Sequence, residues 1–381
     1  MVDGGRRERL LRELSISLVS GLILAIGGKV YASWAATTWA TSVWLVFPAI
    51  VAAGGTAFAV TRYHHHSGRR QVFLLVSAFV QKHWVAELLE NLIRALDRHG
   101  VDLVLKIPPH EYGGHGQLQQ LAELRKNSRS FLGGFVMAAD CAVNRVEFER
   151  FCRSLRIPIV FVDSSPFEHV RDYPANVAFV GCEDAEIGTR SAEWVAKVLK
   201  ERGFLSPNVL VVASTEHPDR QNSFAARLRA EVPSADITIN DQGRFDRGRS
   251  AGIVGQTLQE THRKGGAVHV VFCTNDEMAL GAVDAVQKRA AAGEDVGDLV
   301  IVGVDGTREA IATIDAGGTW FRSTVVQDSG RVAEAAVSTL LKFWAHEPAD
   351  VKTLIPTTTY PLGNASSELS GPRAAGRAPH P

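Results

Sequence analysis

The chain is 381 residues long and carries 41 basic and 41 acidic side chains, so its formal net charge is zero. That length suits one large or two medium domains, and the balanced charge removes any general electrostatic case for a nucleic-acid partner. The hydrophobic share of 45% is ordinary for a globular protein, but it is unevenly spread along the chain.

Residues 1–13 form a basic N-terminal segment, and residues 14–61 then carry a single charge, Lys29. One membrane span needs about 20 apolar residues, so this run predicts two helices, near 14–33 and 42–61. It is too long for the apolar core of a secretory signal. Trp34, Trp39 and Trp44 suit a short turn at the headgroup level, and Lys29 sits where its stem can reach outward. Arg6, Arg7, Arg9 and Arg12 precede the first segment, and Arg62, Arg69 and Arg70 follow the second. Positive residues at span ends favour the cytoplasmic side. The expectation is therefore an inner-membrane hairpin with the following domain in the cytoplasm. If only the second segment spans, that domain is extracytoplasmic.

Residues 62–70 read as a polar linker. His64, His65 and His66 have no Cys or carboxylate at ligand spacing beside them, which makes a surface linker a better reading than a metal site. Residues 363–381 are rich in Gly, Ala, Ser and Pro, a composition that predicts a disordered tail.

Between linker and tail, residues 71–362 alternate strand-like and helix-like patterns. Apolar runs lie at 72-VFLLV-76, 103-LVL-105, 134-GFVM-137, 158-PIVFV-162, 177-VAFV-180, 209-VLVVA-213, 269-HVVFC-273 and 300-VIVGV-304. Continuous apolarity suits strands covered on both faces. Trp84, Val85, Leu88, Leu89, Leu92, Ile93 and Leu96 make one helical stripe, closed by Gly100. Strand–helix alternation implies parallel sheets, and so many repeats exceed one compact sheet, so two α/β lobes are expected. Ligands bind beyond the carboxyl ends of such strands. Polar residues gather there: Ser77, Asp163, Asn275, Asp276 and Asp305, the last followed by Gly306. Asn275 or Asp276 also suits a helix N-cap.

The segment from about 72 to 360 resembles the type I periplasmic sugar-binding proteins, most closely ribose-binding protein, and the effector domains of lactose-repressor-type regulators. The resemblance is carried most strongly by 275-NDEMALGAVDAV-286 and 301-IVGVDGT-307. It continues in 73-FLLVSAFVQKHWVAELLENLIRAL-96, 158-PIVFVDSS-165, 220-RQNSF-224 and 243-GRFDRGR-249. It implies two Rossmann-like lobes joined by three crossovers and closing over a small ligand. Lobe 1 would hold about 71–183 and 328–350, and lobe 2 about 184–327 and 351–362.

By the same resemblance, Ser77 and Gln81 match polar ligand contacts in the first strand–helix loop. Trp84 matches an aromatic lying against a sugar face, while His83 replaces a second aromatic. Asp163 matches the acid after the fourth strand, Arg220 a basic hydroxyl ligand, and Phe245 an opposing aromatic. Asn275, Asp305 and Gln327 match the remaining polar contacts. Carboxylates, amides and a guanidinium suit hydroxyls that both donate and accept. A flat aromatic suits the C–H face of the ring. Trp84 also fits a core position, and Arg220 also fits a surface pair with Asp219 or Glu216. Two departures stand out: Ser164 replaces an Arg frequent in the family, and Ala138-Ala139 replace a frequent Asn.

Enzyme signals are poor. Residues 248–252 fit G-x-S-x-G, but the polar stretch before them is no strand for a nucleophile elbow. Residues 110–115 (HEYGGH) misplace the second His of a zinc helix motif. The four cysteines, Cys141, Cys152, Cys182 and Cys273, form no C-x-x-C pair, and Cys182 and Cys273 read as small core residues. No cofactor is called for. The expected function is a membrane-anchored solute-binding protein for a monosaccharide or similar polyol, serving sensing or transport beside a permease or signalling partner. The alternatives are an enzyme on the same scaffold, or a regulator lacking a DNA-binding domain.

Overall fold

The computed structural model describes residues 70–77, 83–108 and 114–361. The expected membrane pair, the histidine linker, Gln81 and the tail lie outside the described residues. Among the described residues no helix is long and apolar enough to cross a membrane.

The first sheet contains β1 (Arg70–Leu75), β2 (Val101–Lys106), β3 (Gly134–Val136), β4 (Ile159–Val162), β5 (Val177–Gly181) and β11 (Lys352–Leu354), in the order β11-β5-β4-β3-β1-β2. The second contains β6 (Asn208–Val212), β7 (Asp236–Asn240), β8 (Val270–Cys273), β9 (Val300–Asp305), β10 (Phe321–Val326) and β12 (Thr358–Tyr360), in the order β12-β10-β9-β8-β6-β7. Every pairing is parallel except β10 with β12. With the first sheet go α1 (His83–Asp97), α2 (Gly114–Lys126), α3 (Cys141–Ser154) and α9 (Ser329–Trp344). With the second go α4 (Asp184–Glu201), α5 (Pro218–Glu231), α6 (Arg247–Arg263), α7 (Asp276–Ala291) and α8 (Arg308–Ala316).

The chain passes between the lobes at 182–183, 327–328 and 355–357. The last crossover differs from expectation. The resemblance places residues 351–362 together in the second lobe, but β11 pairs with β5 of the first sheet, where Ile355 N also donates to Gly181 O.

The central strands are apolar on both faces because helices cover both faces. β1, β4, β8 and β9 are buried over nearly their whole lengths. Helix α1 buries Trp84, Val85, Leu88, Leu92, Ala95 and Leu96. Full burial of each large side chain is worth about 1.5–3 kcal/mol. Ile93, read as part of that stripe, is 44% exposed. Gly100 ends the turn after α1 with φ +65°, a conformation that glycine adopts without strain. The G-x-S-x-G match is structural: Ser250 lies inside α6, fully buried, and donates to Met278 O at 2.6 Å.

One glycine decides how close two helices come. A Cβ on Gly188 of α4 would lie 2.1 Å from Arg220 O and 2.2 Å from Ser223 Oγ on α5. Only hydrogen lets these helices approach so closely, and that approach sets the reach of Arg220.

Candidate functional site

A cleft with an empty volume of about 310 Å3 lies between the lobes at the carboxyl ends of the strands. The first lobe lines it with Trp84 and Val85 from α1, and with Asp163 just after β4. The second lobe and the crossover bring His217, Arg220, Phe245, Asn275, Asp305 and Gln327.

Of the residues expected from the sequence, Trp84, Asp163, Arg220, Phe245, Asn275, Asp305 and Gln327 thus meet in one place. Ser77 is buried at the end of β1 but does not line the cleft, and Gln81 lies outside the described residues. Val85 and His217 line the cleft without having been expected there.

The second lobe's wall is a bonded network. Arg220 Nε donates to Asp184 Oδ1 at 2.7 Å, and Nη1 donates to Thr274 O at 3.1 Å. His217 Nδ1 lies 2.8 Å from Asp184 Oδ2. Asp184 therefore grips both side chains at once. Burial opposes its ionisation, but His217 and Arg220 outweigh that and hold its carboxyl well below the usual range. Burial likewise disfavours the charged Arg220, yet Asp184, Asp305 and Asp163 push its pKa above the usual arginine value. The surface pairing of Arg220 with Asp219 or Glu216 does not occur; its partner is Asp184, across the helix contact that Gly188 permits.

His217 precedes Pro218, the first residue of α5, and makes no side-chain cap. Its ring turns instead toward Asp184 and packs edge-on against Phe245, with centroids 5.7 Å apart. Asn275 does two jobs. Its side chain caps α7 by accepting from Met278 N at 2.9 Å, and it faces the cleft. Asp276, fully buried, accepts from Thr307 N and Thr324 Oγ1, each at 2.7 Å. Burial, then the neighbouring Asp305, pushes its pKa well above the ordinary carboxylate value. Gln327 Nε2 donates to Asp305 Oδ1 at 2.8 Å, and Trp84 Nε1 donates to Gln327 O at 2.8 Å. Trp84 is at once a core residue and a wall of the cleft.

Across the cleft, the first lobe's acid stands just short of the second lobe's donors. Asp163 Oδ1 is 3.8 Å from Arg220 Nη2, and Oδ2 is 3.7 Å from His217 Nε2. Both separations exceed hydrogen-bond length. The position after Asp163 adds nothing to the cleft, because Ser164 Oγ folds back onto Ala138 O at 2.7 Å.

Backbone strain concentrates here. Asp163, Phe245 and Asp305 have φ of 65°, 56° and 116°. Such conformations cost about 1–3 kcal/mol for non-glycine residues and persist where function holds them. Gly306, at φ +70°, lets the chain leave Asp305 in that geometry.

At the mouth, His83 of α1 pairs with Glu277 of α7. Arg308 N and Nη2 donate to Glu87 and Glu90 at 3.2 and 3.1 Å. These pairs bridge the lobes outside the cleft. The thiols take no part: Cys152, Cys182 and Cys273 are buried, and burial pushes the pKa of Cys152 and Cys182 to about 12.

Comparison with known proteins follows the same lines. A family model described as a periplasmic binding protein domain matches residues 74–348. A putative rhizopine-binding protein of Rhizobium meliloti is 27% identical over 212 residues, covering 52% of this chain and 62% of the relative. A D-galactose/methyl-galactoside-binding periplasmic protein of Haemophilus influenzae is 28% identical over 195 residues, covering 49% of this chain and 56% of the relative. The chain thus spans about three-fifths of the length of these two relatives. A solute-binding protein from Actinobacillus succinogenes, solved with bound D-allose, superposes with a TM-score of 0.65 at 17% identity, covering 76% of this chain and 97% of the other.

These findings correct the localisation expected from the terminal arginines. The matching family and the Haemophilus influenzae relative are periplasmic, so a binding domain facing the cytoplasm is not retained. The charge rule orients a span only once the number of spans is fixed, and that number was assumed. The non-enzymatic reading agrees with the relatives, which are binding proteins. The match covers most of the chain, its two parallel-sheet lobes meet at a cleft lined by residues of both, and the chain belongs to the periplasmic binding protein family.

Proposed function

We propose that the chain is a solute-binding protein for a small hydroxylated ring, a monosaccharide or cyclitol, held between the lobes for transport or sensing. One observation carries this reading. Asp163 from one lobe faces Arg220 and His217 from the other at 3.7–3.8 Å, a gap that a ligand hydroxyl bridges by accepting from one side and donating to the other. Trp84 and Phe245 supply flat apolar surface for the C–H faces of such a ring. The named ligands of the relatives, galactosides and D-allose, belong to the same chemical class.

The test is a titration of the purified full chain with D-galactose, D-allose and myo-inositol, with thermal unfolding and small-angle scattering on the same samples. At 100 times its dissociation constant a ligand adds about 2.7 kcal/mol to stability. Binding groups come from both lobes, so a bound ligand should also reduce the radius of gyration. Binding that survives Arg220→Ala unchanged would remove the cleft from consideration.

A further inference from the structure

The charges around the cleft do not balance, and the imbalance has a chemical meaning. Three carboxylates, Asp163, Asp184 and Asp305, gather around one guanidinium, Arg220. Asp184 takes the close ionic bond at 2.7 Å, while Asp163 and Asp305 stand at 3.8 Å. If His217 is protonated, the count is still three acids to two bases, and His217 too is held by Asp184. At the mouth, Glu277 pairs with His83 and Glu309 with Arg247, so the surplus of acid lies inside the cleft. At the position where the resemblance led one to expect a second arginine, Ser164 is turned away onto Ala138 O.

Asp163 is where the imbalance becomes local. Its side chain is 7% exposed, and its nearest cationic groups among the described residues are beyond hydrogen-bond length. A carboxylate removed from water without compensating bonds is costly, so the liganded site is completed by whatever donates to it. A metal ion does not fit: among the described residues, no group of three or more His, Cys, Asp or Glu is placed to hold one. The cleft is walled by Trp84 and Phe245, whose flat apolar surfaces suit a ring rather than a bare ion. A cation here is therefore organic and attached to a ring.

We propose that the ligand is a hydroxylated ring bearing a protonated amine, an amino sugar or aminocyclitol, whose ammonium lies against Asp163 while its hydroxyls meet Arg220, Asn275 and Asp305. This rests on the cleft reading above and narrows it. An ammonium offers three donors and a full charge, and a charge-assisted bond to a carboxylate is roughly twice as strong as a neutral one. The aromatic walls favour the same cation. A neutral ring leaves the surplus negative charge in place when the lobes close.

The test compares matched pairs on the full chain by titration calorimetry at about pH 6.5, below the range of a typical α-amine. The pairs are D-galactose with D-galactosamine, D-glucose with D-glucosamine, and myo-inositol with its monoamino-monodeoxy analogue. In at least one pair the amine should bind about tenfold tighter or more than the hydroxyl counterpart. Asp163→Asn should cut that preference to about twofold or less. Asn tolerates the left-handed backbone at this position, so the variant keeps the fold. If every pair that binds favours the neutral member or shows no preference, the ammonium is wrong and the cleft reading stands. An amine preference that persists in Asp163→Asn overturns the assignment to that carboxylate. No binding by either member of any pair overturns both the inference and the reading beneath it.

Discussion

The two lobes contribute opposite kinds of wall to the cleft. The second lobe arrives finished: Asp184 holds Arg220 and His217, Asn275 is locked as a helix cap, and Asp276 ties α7 to β10 and to the start of α8. The first lobe brings an indole and a carboxylate whose own cross-cleft partners are out of reach. One wall is preorganised and the other is completed by the ligand. The difference teaches that the same residue type, aspartate, is structural on one side and available for binding on the other. Preorganised groups spend no binding energy on ordering themselves, so affinity comes from the few bonds made at closure.

The sharpest way to break this comparison is to remove one charged group from each wall. Arg220→Ala strips the partly buried Asp184 of one of its two partners and leaves it His217. Breaking a buried pair from one side costs about 3–5 kcal/mol, so the variant should be strongly destabilised in denaturant as well as unable to bind. Asp163→Asn should weaken binding without abolishing it and stay within about 1 kcal/mol of the parent, because no internal ionic bond of normal length is lost. Equal destabilisation of the two variants would show that the walls are alike.

A smaller loss is expected from Gly188→Ala. The added methyl meets backbone of α5 at 2.1 Å, and α5 must move away, taking Arg220 with it. Overpacking of this kind costs about 1–3 kcal/mol, partly offset by about 1 kcal/mol of helix propensity. The variant should therefore bind more weakly than its modest change in melting temperature suggests. A variant that melts lower but binds normally would uncouple the helix contact from the site.

Acid sharpens the same point more gently. The Asp184 carboxyl is held below its ordinary value, so its contribution is present above the unfolded pKa of about 3.9 and is lost as pH falls toward the folded value. Stability of the ligand-free protein should decline below about pH 4, and Asp184→Asn should flatten that decline. An unchanged acid limb in the variant would assign it to other carboxylates.

Much of this was legible in the sequence where one physical signal dominated. The eight continuous apolar runs became β1 to β6, β8 and β9, because strands covered on both faces carry no polar alternation. The missed strands lacked that signal. β7 is an exposed edge reading DITIN, β10 carries Arg322, Ser323 and Thr324, and β11 and β12 are three residues each. At the site, residues at strand ends were visible because a polar side chain after an apolar run is conspicuous. Asp184 was not, since an acid in the first turn of a helix reads as a dipole partner, and its true partners lie 33 and 36 residues away. His217 left a usable trace: it stands four residues beyond the 209–213 run and directly before Pro218, at the mouth of a strand–helix loop.

The lobes also touch outside the cleft, and that contact gives the smallest effect. Arg308, 75% exposed, reaches from the start of α8 to Glu90 at 3.1 Å and lies 3.9 Å from Glu87, both on α1. Its backbone N–H donates to Glu87 independently of the side chain. Exposed ion pairs of this kind are worth about 0.2–1 kcal/mol and are screened by salt. They cannot select a ligand, because they touch none. They can only favour the closed arrangement, in which every bond across the cleft is available at once. Arg308→Ala should therefore weaken all ligands alike, by about two- to threefold, chiefly through faster release. The difference from the parent should vanish near 1 M salt, where charges screen within about 3 Å. A loss that differs between ligands would mean that Arg308 belongs to the recognition wall rather than to the clasp around it.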